Sequence, residues 1–261
     1  VESRGVDLNP VAWFVTKKQL EAGEADIEDL QQGFDRLKEK VAEEILQYYR
    51  TPCPNSDHEA DVMYNFWVKE LDCVSCGHTI SLLKDYRVAS GRFEDDGKYY
   101  VLCPDCETVT LTDDWHEESQ CHQCNHKFVP ENGQVTRGGY YNCPECGQKE
   151  SVTDGIAEQG TPQQRLYAVE YYCEECDQQG LEKSSYKGYK SPDPADKKLV
   201  QDAKQEWETR TDLHEYVPDE KVPEGAITAA SSISGNDVFQ HGIEYWTDMF
   251  KIGRASCRER V

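Results

Sequence analysis

Residues 98–106 read KYYVLCPDC, a run of β-forming residues that ends in two cysteines separated by two positions. The pattern returns as GGYYNCPEC at 138–146 and as VEYYCEEC at 169–176. A short strand that leads into a C-x2-C turn is typical of a zinc ribbon, in which two such turns supply four thiolates to one Zn²⁺. The sequence therefore predicts small β modules that bind structural zinc, with the tyrosines covering the metal sites.

Working outward from this stretch, the chain holds five C-x2-C pairs within about a hundred residues. A single pair could be a redox site or a disulfide, but five favour closed Cys₄ zinc sites without a catalytic position. Nothing in the sequence marks secretion, so disulfides are not expected. We expect nearby histidines (His78, His116, His122 and His126) to lie outside the metal sites. The pairs are Cys73/Cys76, Cys103/Cys106, Cys121/Cys124, Cys143/Cys146 and Cys173/Cys176.

An odd number of pairs requires a sixth contributor, and TPCPNSDHEA at 51–60 offers one. Ser56 stands where a second cysteine would follow Cys53, but a hydroxyl is a poor zinc ligand, so His58 is the candidate partner. Pairing in chain order then joins Cys53/His58 with Cys73/Cys76, Cys103/Cys106 with Cys121/Cys124, and Cys143/Cys146 with Cys173/Cys176. The alternative joins Cys73/Cys76 with Cys103/Cys106 and Cys121/Cys124 with Cys143/Cys146, with the last pair left over. We prefer the first arrangement because it leaves no pair unmatched.

The segments on either side have a different character. GVDLNP at 5–10 predicts the end of a strand over residues 1–8, then Asn9 as the cap of a helix from Pro10 to Glu21. Apolar residues at spacings of three and four predict a second helix over 26–49 that packs one face. A short helix is predicted near 195–209, within a polar segment at 190–225.

The composition limits the functional class. The chain carries 50 acidic and 28 basic residues, a formal net charge of -22, and only 37% of its residues are hydrophobic. Fifteen tyrosines and five tryptophans argue against disorder, and evenly spread acids favour a surface adapted to high salt, as in a halophile. Such a charge repels nucleic acid, so any phosphate contact must be local; SSYKGYKSP and KKLV near 184–200 are the candidates. No run of apolar residues suits a membrane helix and no signal peptide is visible, so we expect a cytoplasmic protein.

Both ends of the sequence look interrupted. The chain starts at Val1 rather than Met, and residues 251–261, KIGRASCRERV, resemble a translated sequencing adapter. We therefore set 251–261 aside and expect an internal fragment of a longer protein.

The order of these parts resembles the zinc-ribbon-containing adenine-specific DNA methylases: VDLNPVAWFVTKK, a long helix, an array of ribbons, and GNDVFQHGIEYWTDMF at 235–250. The resemblance covers most of residues 1–250. It implies an α+β fragment in which residues 1–51 hold the end of a Rossmann-like methyltransferase sheet and a connecting helix. Residues 52–190 would form two or three ribbons, and 191–250 would return to the methyltransferase domain.

The resemblance also implies a function and a set of site residues. Asp7 would bind the ribose hydroxyls of S-adenosylmethionine, with Leu8 and Asn9 near the adenine and Pro10 shaping the turn. The family's Gly-rich loop and its D-P-P-Y motif are absent from this chain, so no catalytic residue is assigned and the fragment alone is expected to be inactive. The parent protein would methylate adenine N6 in DNA, within a restriction-modification or other defence system. The alternative is a non-catalytic zinc-ribbon protein that binds nucleic acid or a transcription partner.

Overall fold

The computed structural model describes residues 10–90, 98–136, 138–223 and 243–249. Within these ranges the chain is α+β, as predicted, and its β structure is divided among several small antiparallel sheets. The helices are α1 (Pro10–Glu21), α2 (Ile27–Leu46), α3 (Val152–Gln159), α4 (Glu174–Gln178), α5 (Lys183–Tyr186), α6 (Pro194–Thr209) and α7 (Thr211–His214), with short 3₁₀ turns at Ala22–Glu24, Gln47–Tyr49 and Trp246–Met249.

Twelve strands lie in the described ranges. They are β1 (Arg50–Pro52), β2 (Glu59–Asp72), β3 (Thr79–Ser81), β4 (Arg87–Ser90), β5 (Tyr99–Leu102), β6 (Val109–Thr112), β7 (Ser119–Gln120), β8 (Lys127–Phe128), β9 (Tyr140–Asn142), β10 (Lys149–Ser151), β11 (Gln163–Tyr172) and β12 (Lys187–Lys190).

Helices α1 and α2 belong to a first compact unit that ends at Gln47. Both predicted helices are confirmed, and the Asp26 carboxylate caps α2 by accepting hydrogen bonds from the N–H groups of Glu28 and Asp29 at 2.8 and 3.2 Å. No residue of α2 is buried, and Ile27 and Phe34 are 81% and 61% exposed. Among the described residues of this unit, the predicted one-sided packing of α2 is thus absent, because α1 does not cover such a face. The predicted strand at 1–8 lies outside the described residues.

The second unit, which begins at Tyr48, is organised by one sheet of order β1-β2-β11-β12, with β3 also paired to β2. Its two long strands, β2 and β11, are antiparallel from Gln163↔Glu70 to Tyr172↔Asp61. The segment between them forms three smaller sheets, β4-β5-β6, β7-β8 and β9-β10. The ribbons are therefore nested between two strands of a common sheet rather than strung along the chain.

Aromatic side chains join this sheet to the ribbon at β5. Phe66 on β2 packs edge-on against Tyr189 on β12 with ring centroids 5.7 Å apart, and Tyr189 lies 4.8 Å from Tyr100 on β5. Val101, also on β5, is fully buried in the same cluster. Tyr100, which precedes Cys103, packs against this core, as predicted for the tyrosines that lead into the cysteine pairs.

The segment after β12 returns the chain to β1. Helix α6 is confirmed at the predicted place, and Asp193 and Asp196 form a capping box at its start. The buried Asp196 carboxylate accepts a hydrogen bond from Thr51 on β1 and contacts Lys190 Nζ at 3.0 Å.

Of the motif at 235–250 only residues 243–249 are described. There the backbone of Tyr245 forms an isolated antiparallel β-bridge with Lys221. Among the described residues, no helix has the length and apolarity that a membrane span requires.

Candidate metal centres

Five turns between neighbouring strands share one strand register and one closing hydrogen bond. In each turn the flanking residues pair at a separation of seven, and the six residues between them begin with a cysteine. The pairs are Pro52↔Glu59, Asp72↔Thr79, Leu102↔Val109, Gln120↔Lys127 and Asn142↔Lys149. The N–H of the first cysteine donates to the carbonyl five residues later, at 2.8–2.9 Å in every turn. Positions one and four therefore correspond by strand register in the five turns, although the Cys53 turn lacks the N–H hydrogen bond from position five to position one that the other four share.

The fifth position of four of these turns is left-handed. Gly77 and Gly147 have φ of 73°, and their N–H groups donate to the carbonyls of Cys73 and Cys143. Glu107 and Asn125 take the same place with φ of 58° and 61°. The left-handed conformation strains a side chain there by roughly 1 kcal/mol, which a contact made by that side chain can offset.

The first tetrad consists of Cys103, Cys106, Cys121 and Cys124. Cys103 Sγ lies 3.6 Å from Cys124 Sγ, and Cys106 Sγ lies 3.5 Å from Cys121 Sγ. Four sulfurs bound tetrahedrally to Zn²⁺ at about 2.3 Å lie about 3.8 Å apart, so this group can hold zinc with little movement. Its composition confirms the pairing predicted from chain order.

The second tetrad consists of Cys73, Cys76, Cys143 and Cys146, with Sγ–Sγ distances of 3.6 Å (Cys73–Cys146) and 3.5 Å (Cys76–Cys143). The predicted pairing of Cys73/Cys76 with Cys53/His58 is therefore wrong, and so is the alternative pairing with Cys103/Cys106. Hydrophobic packing determines which cysteine turn pairs with the Cys73 turn. Leu71 and Ile80, which flank that turn, pack with Tyr141, which precedes Cys143. This hydrophobic cluster joins turns that are seventy residues apart in the chain.

A third group brings Cys53 together with Cys173 and Cys176. The predicted pairing of Cys143/Cys146 with Cys173/Cys176 is therefore also wrong. Cys53 Sγ lies 3.7 Å from Cys176 Sγ, and Ser56 Oγ lies at the same distance from Cys176 Sγ. Cys173 directly follows β11 and caps α4, so this turn is helical, unlike the other five.

The structure places the other predicted site residues as follows. His58 directs its Nδ1 to the Glu175 carboxylate, and among the described residues no histidine belongs to a cysteine group. Asp7, Leu8 and Asn9 lie outside the described residues. Pro10 begins α1, as predicted.

Two thiols of the second tetrad, Cys73 and Cys76, have pKa values shifted in opposite directions. Burial raises the pKa of Cys73, but hydrogen bonds from the Cys76 backbone N–H and from neighbouring thiols outweigh it, and that pKa falls to about 7. The His78 backbone N–H lowers the pKa of Cys76, whereas burial and the Cys143 thiol raise it, to about 12 overall. One thiolate forms near neutrality and disfavours the next, because like charges repel. A divalent cation removes that obstacle, so this arrangement suits a metal.

The sequence analysis noted Ser56 as the place of a missing cysteine but preferred His58, whereas the structure places Ser56 beside Cys176. It missed Arg165 on β11, which pairs with Glu70 on β2 and with Glu107 in the Cys103 turn and which no local pattern marks. No protein-family model, curated protein or solved structure matches the chain.

Proposed function

We propose that this chain is the zinc-ribbon segment of an S-adenosylmethionine-dependent DNA adenine N6-methyltransferase. Two Cys₄ zinc sites would shape an insert that contacts DNA. The observation that carries the proposal is that the ribbon segment starts and finishes at one place. The Thr51 hydroxyl donates to Asp196, and Lys190 Nζ donates to the Pro52 carbonyl at 3.2 Å. An insert that leaves and re-enters a host domain needs adjacent ends.

The two tetrads supply the stability of such an insert. Apart from β2, which leads into the Cys73 turn, the strands beside the two tetrads are two to four residues long, and they bury too little apolar surface to fold alone. Zinc bound by four thiolates contributes folding free energy directly. The metal in these sites is structural, since every coordination position is filled by cysteine.

The host domain is represented by the segment around Asp7 and by helices α1 and α2. The Asp7 carboxylate would accept hydrogen bonds from both ribose hydroxyls of S-adenosylmethionine, since it has two oxygens. Leu8 and Asn9 would border the adenine, and Pro10 starts the helix that follows. The exposed apolar residues of α2, among them Phe34 and Leu37, support a place on a larger domain. The cofactor supplies an electrophilic methyl group, and the target adenine would be flipped out of the duplex.

The basic residues suited to phosphate contacts are fewer than the sequence suggested. Lys190 is only 11% exposed and is paired with Asp193 and Asp196. Lys197 and Lys198, in the first half of α6, are exposed. DNA contact by this segment would therefore rely on α6, with shape and base contacts adding the rest.

The test is to express the natural reading frame with its flanking sequence and to measure two quantities, S-adenosylmethionine binding and methyl transfer to adenine in duplex DNA. Asp7→Ala is expected to weaken cofactor binding by about tenfold or more, because two hydrogen bonds are lost. Asp26→Ala, which removes an acid at a helix cap, is the matched control and is expected to leave cofactor affinity unchanged. Zinc and DNA binding without cofactor binding would instead identify a non-catalytic zinc-ribbon protein.

A further inference from the structure

The third cysteine group lies at the opposite end of the long strands from the second tetrad. Strand β2 begins six residues after Cys53 and ends just before Cys73, while β11 ends just before Cys173. Cys53, Cys173 and Cys176 are 6%, 0% and 1% exposed, and their sulfurs all lie within 4.8 Å of one another. Three buried thiols thus converge on one point that neither tetrad shares.

Ser56 occupies the fourth corner of this group. In the four other turns with the same strand register and closing hydrogen bond, the fourth position is a cysteine of a tetrad: Cys76, Cys106, Cys124 or Cys146. Ser56 holds that position in the Cys53 turn, and its hydroxyl lies 3.7 Å from Cys176 Sγ. The tetrads show nearly the same separation between sulfurs, 3.5–3.6 Å.

His58 does not take this corner in the structure. Its imidazole pairs with Glu175, and its backbone carbonyl accepts the N–H of Cys53 to close the turn. The neighbouring Asn55 donates its side-chain amide to the Ser185 carbonyl. These contacts hold the turn against α4 and α5 and leave Ser56 exposed to solvent beside three buried thiols.

We propose that Cys53, Cys173 and Cys176 form a third zinc site whose fourth ligand is the Ser56 hydroxyl and is exchangeable. The inference rests on the zinc-binding part of the proposed function and not on methyl transfer. A neutral hydroxyl binds Zn²⁺ more weakly than a thiolate. This ion is therefore the first of three to leave, and its exposed corner accepts small ligands such as imidazole.

The competing interpretation is that the three cysteines are ordinary core residues, since a free cysteine behaves as a small apolar side chain. Ala60, Tyr171 and Tyr186 do surround them. The two interpretations differ in metal count: the proposal requires three ions per chain, and the core interpretation requires two.

The experiment is native mass spectrometry of the zinc-loaded full chain during titration with a chromophoric chelator. We expect three ions, one of which is removed at a chelator concentration about tenfold below that needed for the others. Ser56→Cys is expected to bring the third ion to the chelator resistance of the tetrads. Ser75→Cys is the matched control, because position 75 follows Cys73 by two residues in an equivalent turn and is not a corner; it is expected to change nothing.

Replacing zinc with Co²⁺ identifies the ligands of each ion from its absorption spectrum, independently of any effect on folding. The most weakly held Co²⁺ is expected to show about three quarters of the sulfur charge-transfer absorbance of a tetrad ion, and imidazole is expected to shift its spectrum. A third ion that Ser56→Cys leaves unchanged, or that His58→Ala releases, overturns Ser56 as the fourth ligand. Two ions per chain in the natural sequence overturn the site. Empty tetrads would instead overturn the zinc part of the proposed function.

Discussion

Arg165 on β11 forms an ion pair with Glu107, with Nη2 and Oε1 2.8 Å apart. Glu107 occupies the left-handed fifth position of the Cys103 turn, and Arg165 also donates to Glu70 on β2 at 2.6 Å and to Ser81 on β3 at 3.0 Å. One guanidinium thus connects the turn of the first tetrad with the strands that lead into and out of the Cys73 turn. This contact gives a strained glutamate a structural role.

Arg165→Ala is expected to lower the free energy of unfolding by about 2 kcal/mol, since it leaves the Glu70 carboxylate, 15% exposed, without its charged partner. Lys127→Ala is the control, because the Lys127–Glu118 pair is 62% exposed on both sides and such pairs contribute at most about 1 kcal/mol. Urea unfolding of the zinc-loaded chain measures both. Equal effects of the two substitutions would contradict this role for Arg165.

Glu107→Gly separates the ion pair from backbone strain. Glycine relieves the left-handed conformation but loses more entropy on folding, and these two effects nearly cancel. The lost ion pair then dominates, with an expected destabilisation of about 1 kcal/mol. Asn125→Gly, at the equivalent position with φ of 61°, has no ion pair to lose and is expected to stay within about 0.5 kcal/mol of the natural chain. Urea unfolding measures the change in the free energy of unfolding for both variants. A more stable Glu107→Gly chain would show that backbone strain outweighs the Arg165–Glu107 ion pair.

The nested pairing predicts which cysteines share an ion. Cys73→Ala and Cys143→Ala are each expected to remove one zinc ion, and the double variant is expected to remove only that same ion. Cys73→Ala combined with Cys121→Ala is expected to remove two. Zinc per chain, measured by native mass spectrometry, distinguishes this from pairing in chain order, in which Cys73 and Cys143 would serve different ions.

The start of α6 depends on Asp193, whose carboxylate accepts N–H hydrogen bonds from Ala195 and Asp196 at 2.8 and 3.0 Å. Burial raises the pKa of Asp193, but hydrogen bonds from Lys190 and from these N–H groups outweigh it and lower the pKa overall. A depressed carboxyl pKa means that this stabilisation is complete above the ordinary value of 3.8 and is lost as the pH falls through the lowered pKa.

At pH 7 Asp193→Ala is therefore expected to show the full cost of the cap, about 1 kcal/mol. Glu208→Ala, at the other end of α6, removes an acid from the negative end of the helix dipole and is expected to be neutral or slightly stabilising. Thermal unfolding followed by circular dichroism compares the two. A neutral Asp193→Ala would show that α6 is held by its packing alone.

Local features of this fold were predictable and tertiary ones were not. The Cys103–Cys124 ribbon and helices α1, α2 and α6 follow from spacings within a few residues, and all were predicted from them. The second tetrad depends on the cluster that packs Leu71 and Ile80 against Tyr141, about seventy residues away, and the third group depends on pairing between β2 and β11, which lie ninety residues apart. No local spacing encodes that choice. Ser56 was visible as a missing cysteine, but its partners, Cys173 and Cys176, are set by the same long-range sheet.

The most direct test of the central claim, that nested ribbons bind zinc, is anomalous scattering at the zinc edge from crystals of the zinc-loaded chain. We predict one peak enclosed by Cys103, Cys106, Cys121 and Cys124 and another enclosed by Cys73, Cys76, Cys143 and Cys146. A peak that joins Cys143 to Cys173, or the absence of zinc from both tetrads, would contradict the account.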